Sequence, residues 1–174
     1  RKAFCLVSGE VETMAHLRAA RFFCPEVTAL LDIGGQDMKY CRLKDGRIDH
    51  ISLNGVCSSG CGSFLESFAE HLHMDIKEFA RQAALAKEMP DLGRHCTVIM
   101  NSYVKKVQNR GVGLADLAAA LSVSVVKNAL FSVIQLESAE ELGDHIVAEG
   151  GTFYNDAVLR AFERLTGKEV IRPD

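Results

Sequence analysis

An apolar run that ends in an acid and two glycines constrains the fold of this chain more than any other feature. The run reads TALLDIGG and covers residues 28–35. A short apolar run followed at once by glycines predicts a buried strand. A carboxylate at the carboxyl end of such a strand, here Asp32, stands where open α/β sheets bind their ligands. The chain is therefore predicted to be an α/β protein with a ligand site at the end of this strand.

The residues around the paired glycines predict a phosphate site. Gly34 and Gly35 have no Cβ, so phosphate oxygens can approach their backbone N–H groups. Asp32 would hold Mg²⁺ through water or orient an attacking water, and Gln36 and Lys39 add a neutral donor and a cation. The alternative, an ordinary strand-to-turn transition with glycines at the bend, stays open because two glycines are a weak signal.

A second strand followed by paired glycines lies near the end of the sequence. HIVAEGG predicts a strand that leads into Gly150 and Gly151, and NDAVLRAFERLTG predicts an amphipathic helix after it. Glycines before a helix N-terminus can form a shelf for adenosine or phosphate. The alternative is a tight turn in which Asn155 or Asp156 only caps the helix.

The remaining pattern is that of a mixed α/β domain. MKYCRLKDGRIDHISL predicts two strands joined by a tight turn at Asp45 and Gly46. Helices are predicted from Gly62, from Asp75 and through VIMNSYVKKVQN, and a long one covers residues 114–136. KEVIRP predicts a last short strand. Because no internal repeat or low-complexity linker interrupts the sequence, residues 1–174 are predicted to form one structural unit.

Composition limits the classes of partner. The 174 residues carry a net charge of −3, which gives no basic surface for nucleic acid. No apolar run approaches the roughly 18 residues of a membrane span, so no membrane span is predicted. Six cysteines in a chain long enough to bury a core without disulfides favour a reduced, cytoplasmic setting.

Two cysteines precede predicted helices. Cys57 lies in NGVCSSGCGSF and Cys96 in GRHCTVIMNS. A helix N-terminus favours the thiolate, which is the form that binds metal. Two thiolates cannot complete a four-thiolate site, so either Cys61 and another cysteine or a second copy of the protein would supply the rest. From the residues alone, core packing is the first interpretation for Cys57 and Cys96, as it is for Cys5, Cys24 and Cys41.

The other polar side chains receive ordinary interpretations. Lys105, Lys106 and Arg110 predict a solvated helix face. His95 adjoins Cys96 and could tune its thiolate. The histidines are scattered without metal-ligand spacing, and surface or satisfied core positions are predicted for His16, His50, His71, His73, His95 and His145.

Four motifs, in this order, resemble those of one family. DIGGQDMK, NGVCSSGCGSFLE, CTVIMNS and VAEGGTFYNDAV are similar to motifs of 2-hydroxyacyl-CoA dehydratase activators and of the ATPase subunits of benzoyl-CoA reductases. The resemblance covers nearly the whole chain, from about SGEVETMAH to EVIRPD. It implies an actin-like, sugar-kinase-like (ribonuclease-H-like) ATPase fold, here a partial domain with a mixed sheet and flanking helices.

The resemblance implies a nucleotide site. ATP or ADP with Mg²⁺ is the expected cofactor, and Asp32 and Gln36 are the expected catalytic residues. On the long predicted helix, Lys127 lies where this fold often places a basic residue that contacts the nucleotide. The full set of expected nucleotide contacts is Gly34, Gly35, Asp37, Lys39, Lys127, Gly150, Gly151 and Asn155.

The resemblance also implies an iron–sulfur centre. In the family, a homodimer holds one 4Fe–4S cluster with two cysteines from each subunit, and Cys57 and Cys96 occupy those positions here. A second copy would then supply the two missing thiolates. In the family, ATP-driven movement of the helices that flank the cluster lets an electron pass to a partner dehydratase or reductase. A low-potential protein such as ferredoxin or flavodoxin is the expected electron donor.

The sequence departs from the family pattern at two places. Short activators usually carry threonine at the position of Cys61 and an acidic residue near Asn101, so the chain is more similar to the long multidomain relatives. Cys61 is interpreted as a small residue on a helix, with an extra cluster ligand or a redox thiol as the alternatives. The family's first phosphate hairpin and its closing Gly/Ala-rich helix have no counterpart in the sequence, so a segment of a longer domain is expected.

Two other functions stay open. A small-molecule kinase of the same fold would leave the cysteines incidental, although the sequence offers no convincing catalytic base for a phosphate acceptor. A structural or regulatory domain could keep the fold without ATPase activity or a cluster. Iron content and colour would separate the kinase from the electron-transfer protein.

We expect no appreciable ATPase activity from this chain alone, because half of the family's phosphate cradle has no counterpart in it. Phosphate release by the purified protein should equal the background without protein. Clear turnover above that background would contradict the expectation.

Overall fold

A five-stranded mixed sheet forms the centre of the fold. The computed structural model describes residues 10–54 and 60–173, so Cys5 and Cys57 lie outside the described residues. The strands are β1 (Ala29–Ile33), β2 (Met38–Lys44), β3 (Arg47–Leu53), β4 (Ile146–Glu149) and β5 (Val170–Ile171). They are arranged in the order β3-β2-β1-β4-β5. The neighbours from β1 to β3 are antiparallel, whereas β1, β4 and β5 are parallel. The predicted mixed sheet is confirmed.

Helices cover the sheet on both faces. In the described part of the chain they are α1 (Glu12–Phe23), α2 (Gly62–His71), α3 (Ile76–Ala83), α4 (Thr97–Gln108), α5 (Leu114–Asn128) and α6 (Asp156–Thr166). Short 3₁₀ turns cover Ala139–Leu142 and Gly151–Tyr154. The sequence pattern does not predict α1, because only Leu17 and Ala20 of this helix are buried and its apolar stripe is therefore narrow.

The predicted turns and caps are present. Asp45 and Gly46 both have positive φ, 50° and 68°, as the tight β2–β3 turn requires. Asp75 caps α3 by accepting hydrogen bonds from the N–H groups of Lys77 and Glu78. Asn155 caps α6 through Ala157 N–H, and Gly167 ends that helix in the left-handed conformation.

Alternation along β1 and β4 divides the core into two parts. Leu31 and Ile33 of β1 join the larger cluster, which α2 to α6 cover. Leu30 and Val147 face the other way and join a smaller cluster against Leu17 and Ala20 of α1. Because side chains alternate along a strand, the residues at the ends of β1 and β4 that share the faces of Leu30 and Val147 also point toward α1.

The long predicted helix is α-helical from Leu114 to Asn128 and continues as a π-helical turn, Ala129–Val133. The prediction that no run is long and apolar enough for a membrane span is wrong by length and composition, since the 20 residues Leu114–Val133 pass that test. Alanines and serines among the leucines and valines make the run less obvious in the sequence. Two thirds of its most apolar window (67%) is buried inside the fold, so the helix is a core element.

Removing the cap of α3 should destabilise the fold without changing its core. Asp75→Ala should lower the free energy of unfolding by about 1 kcal/mol, because two N–H groups of the first turn lose their acceptor. Asp75→Asn keeps an oxygen acceptor and should lower it much less. Urea unfolding of the three proteins measures the difference, and equal losses in both variants would contradict the capping role.

Candidate functional site

Two carboxylates lie side by side where β1 and β4 end. Asp32 pairs with Glu149 in the parallel register, and both side chains are largely buried. His16 of α1 lies between them: its Nδ1 is 2.7 Å from Glu149 Oε2, and its Nε2 is 3.3 Å from Asp32 Oδ2. A single imidazole on α1 thus contacts the carboxyl ends of two neighbouring strands.

Further charges surround this pair of carboxylates. Lys39 Nζ on β2 is 2.6 Å from Glu12 Oε1, 3.3 Å from Asp37 Oδ2 and 3.7 Å from Asp32 Oδ2. Glu12 Oε1 is also 3.7 Å from His16 Nε2. We call the group Glu12, His16, Asp32, Asp37, Lys39 and Glu149 the strand-end cluster. It holds four acids and two groups that can carry positive charge, so its charge balance favours the binding of an added cation.

Burial and pairing shift the pKa values of this cluster in understandable directions. Burial raises the pKa of Asp32, and the nearby charges of His16 and Lys39 offset this only in part. Burial lowers the pKa of His16, but the hydrogen bond to Glu149 and the negative charges of Asp32 and Glu149 outweigh it, so the pKa is raised. The hydrogen bond to Glu12 raises the pKa of Lys39. Both shifts favour the charged form of the basic group.

His16 is part-buried and hydrogen-bonded to Glu149, which agrees with the predicted satisfied histidine. It also belongs to a group with possible metal-ligand spacing, which the sequence pattern does not predict. Ligand atoms of His16, Glu12 and Asp32 lie within 4.8 Å of one another, a spacing that could hold a metal ion. Glu149 was equally absent from the predicted site residues. The signals in the sequence were an acid and a histidine four residues apart, and a second strand ending in an acid and two glycines.

The two glycine motifs are tied together by hydrogen bonds. Gly34 O accepts from Gly62 N–H at 2.9 Å and from the Thr152 hydroxyl at 2.8 Å. Gly35 O accepts from Ser63 N–H at 2.7 Å. The loop after β1 is therefore held against the start of α2 and against the 3₁₀ turn after β4.

Gly150 is required by a close approach of β4 to β1. Its φ is +91°, and a Cβ at this position would lie 2.4 Å from Ile33 O and 2.6 Å from Asp32 Oδ1. Gly34 is also crowded, with Asp37 Oδ1 at 2.7 Å from a Cβ position. Only at Gly150 is the closest contact with backbone, so Gly150 is the glycine that the packing of the protein requires.

The other glycine of each pair faces open space. A Cβ on Gly35 or Gly151 would meet no atom of the described residues within 4 Å, and both glycines line a cleft of about 330 Å³. This cleft lies between the glycine loops, α2 and α3. Its apolar wall includes Leu65, Ile76 and Ala80, and its polar rim includes Glu66, Lys77 and Tyr154.

Asn155 offers the cleft a hydrogen-bond donor. Its Oδ1 caps α6, whereas its Nδ2 is buried and has no hydrogen-bond partner among the described residues. An amide N–H that is buried without a partner costs free energy, so a ligand atom that accepts from it would be stabilised. Asn155 can thus cap the helix and contact a ligand at the same time.

The predicted catalytic and nucleotide-contacting residues lie at different places in the structure. Gly35, Gly151 and Asn155 line the cleft. Gln36 is exposed, and its carbonyl accepts from Asn54 Nδ2 at 3.1 Å. Lys127 is not among the residues that line the cleft; its Nζ is 2.8 Å from Asp91 Oδ1. The strand-end cluster contains Asp32, Asp37 and Lys39.

Cys96 is exposed at the N-terminal cap of α4, so its first interpretation as a core cysteine is wrong. The helix next to it carries exposed apolar side chains, with Val98 exposed to 79%. His95 stacks on Tyr103 with ring centroids 4.5 Å apart.

The other described cysteines are core residues. Cys61 is fully buried at the start of α2, in agreement with the prediction of a small residue on a helix, and Cys24 and Cys41 are buried as predicted.

Comparison with known proteins decides the family. Residues 4–173 match the BadF/BadG/BcrA/BcrD ATPase family. The chain belongs to this family. It is 29% identical over 164 residues to the 2-hydroxyisocaproyl-CoA dehydratase activator of Clostridioides difficile, an alignment that covers 94% of this chain and 60% of the relative. The chain therefore spans about three fifths of that relative's length.

Solved structures of family members have the same fold. Component A of the Acidaminococcus fermentans (R)-2-hydroxyglutaryl-CoA dehydratase superposes with a TM-score of 0.79 at 29% identity, covering 91% of this chain and 60% of that one. The Clostridium difficile activator of the 2-hydroxyisocaproyl-CoA dehydratase with bound ADPNP gives 0.79 at 28% identity, covering 91% and 58%. The expected actin-like ATPase fold is confirmed.

The His16 contacts of this family member predict a pH-dependent stability. Because the folded-state pKa of His16 is raised, its contribution is fully present below about pH 6.5, the unfolded value, and is lost as the pH rises through the folded value. Urea unfolding should show a larger loss of stability for His16→Ala at about pH 6 than at about pH 8.5. An equal loss at both pH values would exclude a charged role for His16.

Proposed function

We propose that the protein is an ATP-dependent electron-transfer activator of a 2-hydroxyacyl-CoA dehydratase or benzoyl-CoA reductase type system. The cleft carries this proposal, because one glycine of each pair is kept open there. Asn155, whose buried Nδ2 has no hydrogen-bond partner among the described residues, also lines it. The described fold would form part of the actin-like ATPase domain, and the setting would be the cytoplasm.

The adenosine would occupy the cleft. Its apolar wall, which includes Leu65 and Ile76, suits the faces of a purine ring, and Asn155 Nδ2 would donate to an acceptor of the adenosine. Gly151 would let the ligand approach the turn after β4. The relative that was solved with ADPNP supports this assignment, since it shares the fold and 28% of its aligned residues.

The phosphates and Mg²⁺ would lie between the cleft and the strand-end cluster. Gly34 and Gly35 would present the β1 loop to phosphate oxygens, with Gln36 as a neutral donor and Lys39 as a cation. Asp32 would hold Mg²⁺ through water or orient the attacking water. Burial raises the pKa of Asp32, and a cation bound there would offset this by stabilising the charged carboxylate.

Cys96 suits a metal ligand better than a core residue. Its thiol is exposed at the N-terminus of a 12-residue helix, where a metal ion could reach it. With Cys57 it would supply two ligands, and a second copy of the chain would supply two more to a 4Fe–4S cluster. The exposed apolar side chains of Val98, Ile99 and Tyr103 would be covered in such a homodimer. The cluster would carry one electron at a time.

The remaining partners follow from the family. Relatives are named as activators of 2-hydroxyisocaproyl-CoA and lactoyl-CoA dehydratases and as a benzoyl-CoA reductase subunit. By analogy the protein would pass its electron to a dehydratase or reductase component. A ferredoxin or flavodoxin would supply that electron.

Anaerobic reconstitution with iron and sulfide tests the cluster. The wild-type protein should become a brown dimer with about four irons per pair, and Cys57→Ala and Cys96→Ala should each lose colour and iron. Cys41→Ala is the matched control, because Cys41 is buried in the core and should keep the iron. A colourless wild-type protein, or iron retained in Cys96→Ala, would contradict the proposal.

Adding a methyl group to the open glycines tests the nucleotide cleft. Gly35→Ala and Gly151→Ala should weaken binding of ADPNP about tenfold or more while the thermal unfolding midpoint stays unchanged, because each Cβ enters the cleft without meeting the protein. Saturation-transfer NMR detects even weak binding. Gly113→Ala, at an uncrowded glycine away from the cleft lining, is the control. Unchanged ADPNP binding in both cleft variants would exclude this cleft as the nucleotide site.

A further inference from the structure

The loop between α3 and α4, residues 84–96, is fastened along α5 at four places. Near the start of α5, Asp116 Oδ1 accepts from the N–H groups of Lys87 and Glu88 at 2.7 and 2.9 Å. Farther along, the Ser124 hydroxyl donates to Gly93 O at 2.8 Å. The loop therefore follows α5 toward its C-terminal end instead of leaving the surface of the protein.

The last two fastenings hold the part of the loop that leads to Cys96. Lys127 Nζ is 2.8 Å from Asp91 Oδ1, and Asn128 Nδ2 donates to His95 O at 3.3 Å. Asp91 Oδ1 also accepts from Gly93 N–H at 2.8 Å, so the ion pair and the bend of the loop share one carboxylate. Both contacts come from the last turn of α5.

The other cysteine-bearing segment meets α5 at the same point. A Cβ on Gly60 would lie 3.3 Å from Ala129 N and 3.5 Å from Ala129 Cα, so Gly60 packs directly on the backbone where α5 becomes π-helical. Arg94 of the loop lies over the ring of Phe131 in the same π-helical turn, 5.7 Å from its centroid. The end of α5 thus contacts the chain just after residues 55–59 and just before Cys96.

We propose that Ser124, Lys127 and Asn128 are positioning residues that fix Cys96 as a metal ligand by holding the α3–α4 loop on α5. This inference rests on the proposed function, since these three residues have this role only if Cys96 binds the cluster. It gives Lys127 a role other than nucleotide contact. The same loop begins after α3, whose Ile76, Lys77 and Ala80 line the cleft, so one continuous segment of chain connects the cleft wall to Cys96.

Hydrogen exchange of the metal-free protein tests the fastening by itself. Ser124→Ala should speed exchange of the Gly93 amide about fivefold, because the loop loses a hydrogen bond to α5. Ser122→Ala is a matched control: this buried serine is on the same helix, but its hydroxyl donates to Ala118 O within that helix. Equal exchange rates at Gly93 in the two variants would overturn the proposal.

Lys127 allows a test by loss and rescue. Lys127→Met should also speed exchange at Gly93 and, after reconstitution, change the electron paramagnetic resonance spectrum of the reduced cluster. Lys127→Arg keeps a cation for Asp91 and should restore both. Lys106→Met, on the exposed face of α4, should change neither. A spectrum that is the same in wild type and Lys127→Met would overturn the positioning role.

Hydrogen exchange of the metal-free protein and measurements on the reconstituted protein together separate this inference from the proposed function. If the wild-type protein takes up no iron, the proposed function fails. The positioning role of Ser124, Lys127 and Asn128 then fails with it, whatever the exchange rates are. If iron is bound but Ser124→Ala and Lys127→Met leave both exchange and spectrum unchanged, only the positioning role is overturned.

Discussion

The close contact between Gly150 and the end of β1 is the constraint on which the site depends. Parallel pairing brings β4 beside β1, and the missing side chain of Gly150 lets the chain turn directly over Ile33 O and Asp32 Oδ1. Any Cβ there would have to displace backbone. Because the chain can turn at this point, Thr152 reaches Gly34 O and the two glycine loops form one structure. The cleft is the space that this structure leaves against α2 and α3.

The glycines of the two pairs have different physical roles. Gly150 is crowded by backbone, so it is needed for folding in the observed geometry, whereas the closest contact at Gly34 is the movable side-chain end of Asp37. Gly35 and Gly151 have free space at the Cβ position and line the cleft, so their lack of a side chain favours a ligand more than the fold. A sequence pattern shows only that glycines are paired. The contacts of each Cβ position show which glycine serves which purpose.

Most of the fold could be predicted from the sequence, because its signals are local. The Asp45-Gly46 turn, the Asp75 cap and the Gly167 helix end each depend on a few neighbouring residues. The site was predicted less completely, because His16 and Glu149 are 133 residues apart and meet only through the sheet. Lys127 shows the same limit, since its ion pair with Asp91 depends on how a loop lies on α5.

The parallel register of β1 and β4 also limits how such a protein can change over evolution. Asp32 and Glu149 face α1 together because each is an even number of residues from a core residue on the same face, Leu30 and Val147. A one-residue insertion or deletion within either strand would turn one carboxylate to the opposite face. The loops outside the strands carry no such requirement. Lineages that keep this site should therefore vary in loop length while the lengths of these two strands stay fixed.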